Sequence, residues 1–190
     1  MRWIVIDGID GSGKTTCAMW IKDYYEKRGE TTKVFIHPSE RLCGRISRWA
    51  LRKAGKIMEL LAALFFIIDV FQSLYIMKSR KEGWRNIVFV RYILATAYLP
   101  EKLSEFGYKF FEKLLPVPDK LILIDVDPHI AYKRIMARNE EKEMFEELDH
   151  LHRVRDRMLR LSNGKWSILD NSNNDSESHI KLIEILTHWD

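Results

Sequence analysis

Short apolar runs alternate with longer amphipathic stretches along the whole of the 190-residue chain. Five of the short runs are almost continuously apolar, and several stop at Gly, Pro or Asp. This pattern is typical of strands that are buried on both faces of a sheet. The predicted strands cover residues 2–7, 33–37, 86–90, 121–125 and 166–169.

Helical periodicity fills the stretches between these runs. The predicted helices cover residues 15–28, 42–53, 57–81, 94–111 with a break near Pro100, 129–161 with a charged interruption at 139–143, and 179–188. Strands that alternate with helices over a whole chain predict a parallel sheet covered on both faces. The expected fold is therefore α/β and three-layered, and ligands of such sheets bind at the carboxyl ends of the strands.

The turn between the first strand and the first helix carries the complete motif GxxxxGK[ST]. Its glycines allow backbone amides to surround phosphate oxygens, and the helix that follows adds the positive end of its dipole. We expect Lys14 to reach the terminal phosphates and the Thr15 hydroxyl to bind the Mg²⁺ that bridges them. The sequence thus predicts a P-loop NTPase-type fold whose ATP site consists of Gly8, Ile9, Asp10, Gly11, Ser12, Gly13, Lys14, Thr15 and Thr16.

Charge and composition narrow the choice of partners. The chain has 31 Lys and Arg against 27 Asp and Glu, a formal net charge of +4, which fits an anionic ligand such as a nucleotide. We expect no nucleic-acid partner, because no run of five basic residues occurs. The two cysteines lack zinc-like spacing. The N-terminus is too quickly polar for a signal peptide, and the longest apolar run, residues 60–68, is half a membrane span. We therefore expect a cytoplasmic protein without a membrane partner.

Beyond the P-loop, the order of the remaining motifs resembles the thymidylate kinase family of nucleoside monophosphate kinases over nearly the whole chain. Three short segments are similar to the family's Arg-Glu-Pro, Leu-Phe to Asp-Arg, and Asp-Arg-Tyr motifs: residues 36–38, 64–70 and 90–92. Gly44 and Arg48 match a later Gly and Arg. A longer stretch is similar to the family's fourth strand, lid and following helix: residues 123–128, Arg134, Arg138, Phe145-Glu146 and Val154-Arg155.

The resemblance implies transfer of the γ-phosphoryl group from MgATP to a (deoxy)nucleoside monophosphate, with dTMP as the expected acceptor. It also implies one kinase-like domain over residues 1–190, a helical lid at about 134–146, and a homodimer. Phosphoryl transfer requires positioning, charge neutralisation and exclusion of water. The expected catalytic cations are Lys14, Arg91, Arg134 and Arg138. Arg134 and Arg138 are four residues apart and would share a helix face, as a lid or as a solvated basic stripe.

The same resemblance implies an acceptor site, to which we assign Asp10, His37, Arg48, Phe66 and Arg91. In the family, an Asp inside the P-loop faces the acceptor sugar and the metal. Phe66 would stack on the acceptor base, although an apolar run on a helix is also typical of core. His37 would contact an acceptor phosphate from its strand end, or have a structural role.

Several departures from the family pattern fall at positions where the family has residues that bind metal, base or phosphate. Val90 replaces an acid that helps to hold Mg²⁺, and Val70 replaces a guanidinium that reads the thymine ring. Both charges of Arg-Glu-Pro are lost, Ala95 replaces a hydroxyl, Tyr98 falls one residue early, and Met144 replaces a lid arginine. Two alternatives therefore remain open: a kinase of this fold with another acceptor, and a nucleotide-binding protein with little or no turnover. The acceptor base, the choice of ATP or GTP, the rate and the oligomeric state are also open.

Overall fold

One parallel sheet of five strands forms the centre of the molecule. The computed structural model describes residues 1–53, 55–79, 83–138, 147–162 and 164–190. The strands are β1 (Arg2–Asp7), β2 (Thr32–Ile36), β3 (Asn86–Val90), β4 (Lys120–Asp125) and β5 (Ser167–Asp170). Their order is β2-β3-β1-β4-β5, and every pair is parallel. This confirms the predicted five-stranded parallel sheet.

Helices cover both faces of the sheet. They are α1 (Lys14–Glu26), α2 (Leu42–Leu51), α3 (Lys56–Ser79), a 3-10 helix (Ile93–Tyr98), α4 (Glu101–Leu114), α5 (Pro128–Met136), α6 (Leu148–Ser162) and α7 (Asp175–Trp189). The break predicted near Pro100 separates the 3-10 helix from α4. The helix predicted to start at residue 179 begins at Asp175, because the Asn174 side chain caps it by accepting from the Glu177 amide at 2.8 Å.

Alternate strand residues point to opposite faces, and each face has its own core. Val5, Phe89 and Leu123 face the layer that contains α3, the 3-10 helix and α6. Ile6 and Val90 face the layer formed by α1 and α7. Because both faces are covered, the strands are apolar at successive positions, which is the pattern that predicted them.

The long helix α3 contributes to the core with one face only. Val70 is 4% exposed and Asp69 is fully buried, whereas the opposite face exposes an apolar row: Ile57, Leu60, Leu64, Phe71 and Tyr75. By length and composition alone, α3 could cross a membrane, with a mean hydropathy of 2.1 over 18 of its 24 residues. The nine-residue apolar run underestimated the length of this apolar helix. Asp69 ends the run in the sequence, but its side chain is buried in the fold.

Candidate functional site

The P-loop joins β1 to α1 in the conformation that its glycines allow. Gly11 and Gly13 have φ values of 77° and 90°, in the left-handed region where other residues are strained. A Cβ atom on Gly11 would lie 2.5 Å from the Ala131 carbonyl oxygen, and one on Gly13 would lie 2.4 Å from Asn171 Nδ2. The loop is therefore held between α5 and the β5–α7 turn at the carboxyl edge of the sheet.

Lys14 begins α1, and its ammonium lies back over the loop. Lys14 Nζ donates to the Ile9 carbonyl oxygen at 2.7 Å and lies 3.9 Å from Asp10 Oδ1. The buried Ser12 hydroxyl has no hydrogen-bond partner among the described residues. A buried polar atom without a partner is costly, and a phosphate oxygen would satisfy it. The loop therefore fits a polyphosphate chain.

A second cluster links the P-loop to the end of β3 and to the 3-10 helix. The Arg91 guanidinium forms an ion pair with Asp10 Oδ1. Tyr98 Oη donates to Asp10 Oδ2 at 3.0 Å and accepts from the Asp10 amide at 3.1 Å. The Arg91 guanidinium carbon lies 5.6 Å from the centre of the Tyr98 ring. Asp10 and Arg91, both predicted site residues, are thus in direct contact.

The backbone of Arg91 is strained, and a hydrogen bond from His37 supports it. Arg91 has a φ of 65°, which is rare for a residue with a side chain. His37 Nδ1 donates to the Arg91 carbonyl oxygen at 3.0 Å, so its Nε2 must accept from the Ser73 hydroxyl at 2.7 Å. Burial lowers the pKa of His37 to about 4, so the ring is neutral. The predicted contact of His37 with an acceptor phosphate is not supported, because both ring nitrogens are engaged inside the protein.

The other predicted acceptor cation, Arg48, also faces the protein. Its guanidinium donates to the carbonyl oxygens of Pro38 at 3.3 Å and Ser39 at 3.2 Å, and pairs with Glu40 at 2.7 Å. These contacts hold the β2–α2 loop. The geometry does not support Arg48 as an acceptor contact, because its donors are directed at two carbonyl oxygens and a carboxylate of the loop before α2.

A cavity of about 480 Å³ opens beside Asp10 and Arg91 and runs between α3 and the 3-10 helix. Phe66 and Val70 of α3 form one wall, and Thr96 and Leu99 lie opposite. Phe66 also packs against the core, so the two interpretations of this residue are compatible. A mostly apolar cavity with a few polar groups at one end is the usual form of a small-molecule site.

The described part of the predicted lid does not form one helix face. α5 ends at Met136, so Arg134 is helical and Arg138 lies exposed in the turn beyond. The predicted shared face of the two arginines is therefore wrong. Arg134 instead donates to the Asn171 carbonyl oxygen at 3.1 Å, beside the P-loop. The remainder of the lid, including Met144 and Phe145-Glu146, lies outside the described residues.

Three acids at the carboxyl edge of the sheet, Asp7, Asp125 and Asp127, could take the place of the acid that Val90 replaces, and each has a partner inside the protein. Asp7 accepts from the amides of Gly8 and Tyr92 at 3.0 and 2.9 Å, and burial raises its pKa. Asp125 is held by Arg155 through two contacts of 2.7 Å. Asp127 caps α5 by accepting from the His129 amide at 2.8 Å.

Among the described residues, no group of three or more His, Cys, Asp or Glu forms a metal cluster. Mg²⁺ bound to a nucleotide needs no such cluster, because it takes phosphate and water oxygens and one or two protein ligands. Thr15 is exposed in the first turn of α1, next to Lys14. Its hydroxyl therefore fits Mg²⁺ carried by a nucleotide.

Sequence reasoning missed three residues that shape the site. Tyr98 stood one position early in the motif, yet the 3-10 helix brings it to Asp10. Asn171 donates to the Ser12 carbonyl oxygen at 2.8 Å across 159 residues. Arg41 pairs with Asp69 across 28 residues. Only Tyr98 had a signal in the sequence, its place beside a family motif, although all three contacts depend on the tertiary fold.

Known proteins resemble this chain in sequence and in fold. A family model described as thymidylate kinase matches residues 6–182. The thymidylate kinase of Leptospira borgpetersenii is 32% identical over 168 residues, covering 84% of this chain and 80% of the relative. A probable thymidylate kinase of Pyrobaculum aerophilum is 32% identical over 192 residues, covering 98% and 96%. The solved thymidylate kinase of Candida albicans superposes with a TM-score of 0.75 at 18% identity over 98% of this chain and 91% of its own, which supports the fold.

Proposed function

Because the chain belongs to the thymidylate kinase family, we propose that it transfers the γ-phosphoryl group of ATP to dTMP and yields ADP and dTDP. An oxygen of the acceptor phosphate attacks the γ-phosphorus, and the bond from that phosphorus to the β–γ bridging oxygen breaks. The observation that carries this proposal is the contact between Asp10 of the P-loop and Arg91 at the mouth of the apolar cavity. There, the donor and acceptor phosphates would meet.

The donor side uses the P-loop and the cations around it. The loop amides and Lys14 bind the β- and γ-phosphates, and Arg134 lies near the same loop through Asn171. Mg²⁺, held by Thr15 and the phosphates, would neutralise charge on the transferring group. Arg138 is exposed at the end of the described part of the lid and is the second lid cation of the proposal.

The acceptor side uses the Arg91 cluster and the cavity. The Arg91 guanidinium binds the acceptor phosphate and stabilises charge in the transition state, which makes it a catalytic residue. Asp10 orients that guanidinium and faces the acceptor sugar. Phe66 lines the cavity and stacks on the acceptor base. This arrangement requires no carboxylate at the end of β3, where Val90 packs in the core.

The exposed apolar row of α3 is proposed as the interface of a homodimer. Leu60, Leu64 and Tyr75 are 72%, 51% and 76% exposed on one side of the helix. Exposed apolar patches of this kind mark protein or membrane contacts. A second copy of the chain is the occupant that we propose, with the protein in the cytoplasm.

Replacement of Lys14 tests the proposed reaction. Coupled detection of ADP with ATP and dTMP should show turnover by the wild type and a loss of about 100-fold or more in Lys14→Ala, the usual cost of one transition-state donor. Lys22→Ala is the control, because Lys22 lies on the same helix and its partner is Glu26 at 3.5 Å. Native turnover by Lys14→Ala would contradict the proposal. Nucleotide binding by the wild type without turnover would favour the non-catalytic alternative.

A further inference from the structure

Among the residues that the structure describes, those lining the inner part of the cavity offer an acceptor base apolar contacts in place of hydrogen-bond donors. Phe66, Ile67 and Val70 of α3 form its wall, and Val70 is 4% exposed. The acceptor base must lie in this part, because the phosphate end is occupied by Asp10, Arg91 and Tyr98. The inference that follows rests on the proposed kinase function.

The hydroxyl groups that line the cavity already donate elsewhere. Ser47 Oγ donates to the Ala62 carbonyl oxygen at 2.9 Å, and Thr96 Oγ donates to the Ile93 carbonyl oxygen at 2.7 Å. Tyr92 Oη donates to the Pro116 carbonyl oxygen at 2.8 Å. A hydroxyl has one proton, so none of these three side chains can donate to a base as well.

Apart from Asp10 and Arg91 at the phosphate end, the charged residues in the lining are Lys56 and Glu59, and both lie far from Val70. Lys56 and Glu59 are in the first turn of α3, 14 and 11 residues before Val70. At 1.5 Å per residue, these separations are about 21 and 16 Å along the helix axis. These two side chains therefore line the cavity near the start of α3, away from the wall at Val70.

The Arg41 guanidinium lies near this wall, but it is bound to the Asp69 carboxylate. Arg41 donates to Asp69 Oδ1 from Nε at 3.1 Å and from Nη2 at 2.8 Å, and to Ser73 Oγ at 2.5 Å. It lines a separate groove with Ile68 and Gln72. Asp69 is fully buried, so withdrawal of Arg41 would leave an uncompensated buried carboxylate. Arg41 is therefore held away from the cavity.

We infer that this kinase does not read the C4 group of its pyrimidine acceptor, so that 5-methyl-dCMP is phosphorylated with an efficiency within about 100-fold of that of dTMP. The two nucleotides share the 5-methyl group and differ in the 4-amino or 4-oxo group and at N3. A site that hydrogen-bonds a base rejects the wrong partner by about 10⁴-fold, whereas an apolar pocket rejects a near-isostere by about 100-fold at most. The Val70 side chain has no hydrogen-bond donor with which to distinguish the 4-oxo from the 4-amino group.

A panel of monophosphates with ATP tests the inference on the wild-type protein. The ratio of kcat/KM for dTMP over 5-methyl-dCMP should be below about 100. The ratio for dTMP over dUMP should be about 10, since one methyl group in an apolar pocket is worth that much. A dTMP preference above about 100-fold over 5-methyl-dCMP, towards the about 10⁴-fold of a site that hydrogen-bonds the base, would overturn the inference and leave the kinase function standing. If no monophosphate of the panel is phosphorylated, both the inference and the proposed kinase function are overturned.

Two variants at Val70 test the residue itself. Val70→Arg adds a donor in the wall and should raise the preference for dTMP over 5-methyl-dCMP by about 10-fold or more, the value of one hydrogen bond from a charged group. Val70→Met adds volume without a donor and should leave this ratio unchanged. An equal change in both variants would overturn the role of Val70. Should Val70→Arg not fold, the wild-type ratio alone decides the inference.

Discussion

Replacement of His37 with Gln should flatten the pH dependence of stability between pH 7 and pH 5. His37 is 1% exposed and supports the strained Arg91 backbone through its Nδ1 proton. Its pKa falls from 6.5 to about 4 in the folded protein, chiefly because burial disfavours the charged ring. The unfolded chain therefore takes up a proton at a higher pH than the folded protein does, and acid favours unfolding.

The pKa difference sets the size of the effect. The stabilisation by a neutral His37 is fully present above pH 6.5 and is lost as the pH falls towards 4. The full difference corresponds to about 3 kcal/mol, of which about 2 kcal/mol is lost between pH 7 and pH 5. Gln cannot titrate, so the variant loses this component. It should also be less stable at pH 7 by about 1–3 kcal/mol, since one buried hydrogen bond is broken.

Urea unfolding of the wild type and His37→Gln at pH 7, 6 and 5 measures both quantities. Burial also lowers the pKa of the half-buried His150 to about 4, so the difference between the two proteins isolates His37. His188→Gln is the matched control, because His188 is exposed on α7. Equal slopes with pH for the wild type and His37→Gln would refute the reasoning.

Three further substitutions test other parts of the structure. Gly11→Ala should weaken MgATP binding at least 10-fold by calorimetry, since a left-handed Ala costs about 1–2 kcal/mol and its Cβ would meet the Ala131 carbonyl oxygen; unchanged affinity would contradict the loop geometry. Tyr98→Phe should lower kcat about 5- to 10-fold, the value of one hydrogen bond to Asp10; a native kcat would remove Tyr98 from the site. Leu64→Glu should produce a folded monomer in sedimentation, because Leu64 is 51% exposed within one copy of the chain; identical sedimentation would exclude this interface.

Local patterns were sufficient for most of the fold. The bounds of β1 and β3 agree with the prediction, because each is an apolar run that meets the polar edge of the sheet. The start of α7 was missed because Asn and Ser around residue 172 are also typical of a loop. Asn174 and Glu177 have the spacing of a helix cap, so the signal was present in the sequence.

The site could be predicted only where its residues are close together in the sequence. The P-loop residues are contiguous in the sequence, so their motif was sufficient to predict the conformation of the loop. His37 was assigned to the acceptor from its strand end and Arg48 by resemblance, but each donates to backbone atoms that only the folded chain brings near. Asn171 and Arg41 act across long sequence separations and left no periodic or motif signal.

The central claim is that the P-loop and the apolar cavity hold the two substrates end to end across Arg91. A bisubstrate ligand, adenosine and thymidine joined through five phosphates, tests it by calorimetry in the presence of Mg²⁺. The ligand should bind at least 100-fold more tightly than ATP or dTMP alone, since linking two fragments makes the second binding event intramolecular. Arg91→Ala should remove this gain. Affinity no higher than that of ATP would contradict the claim.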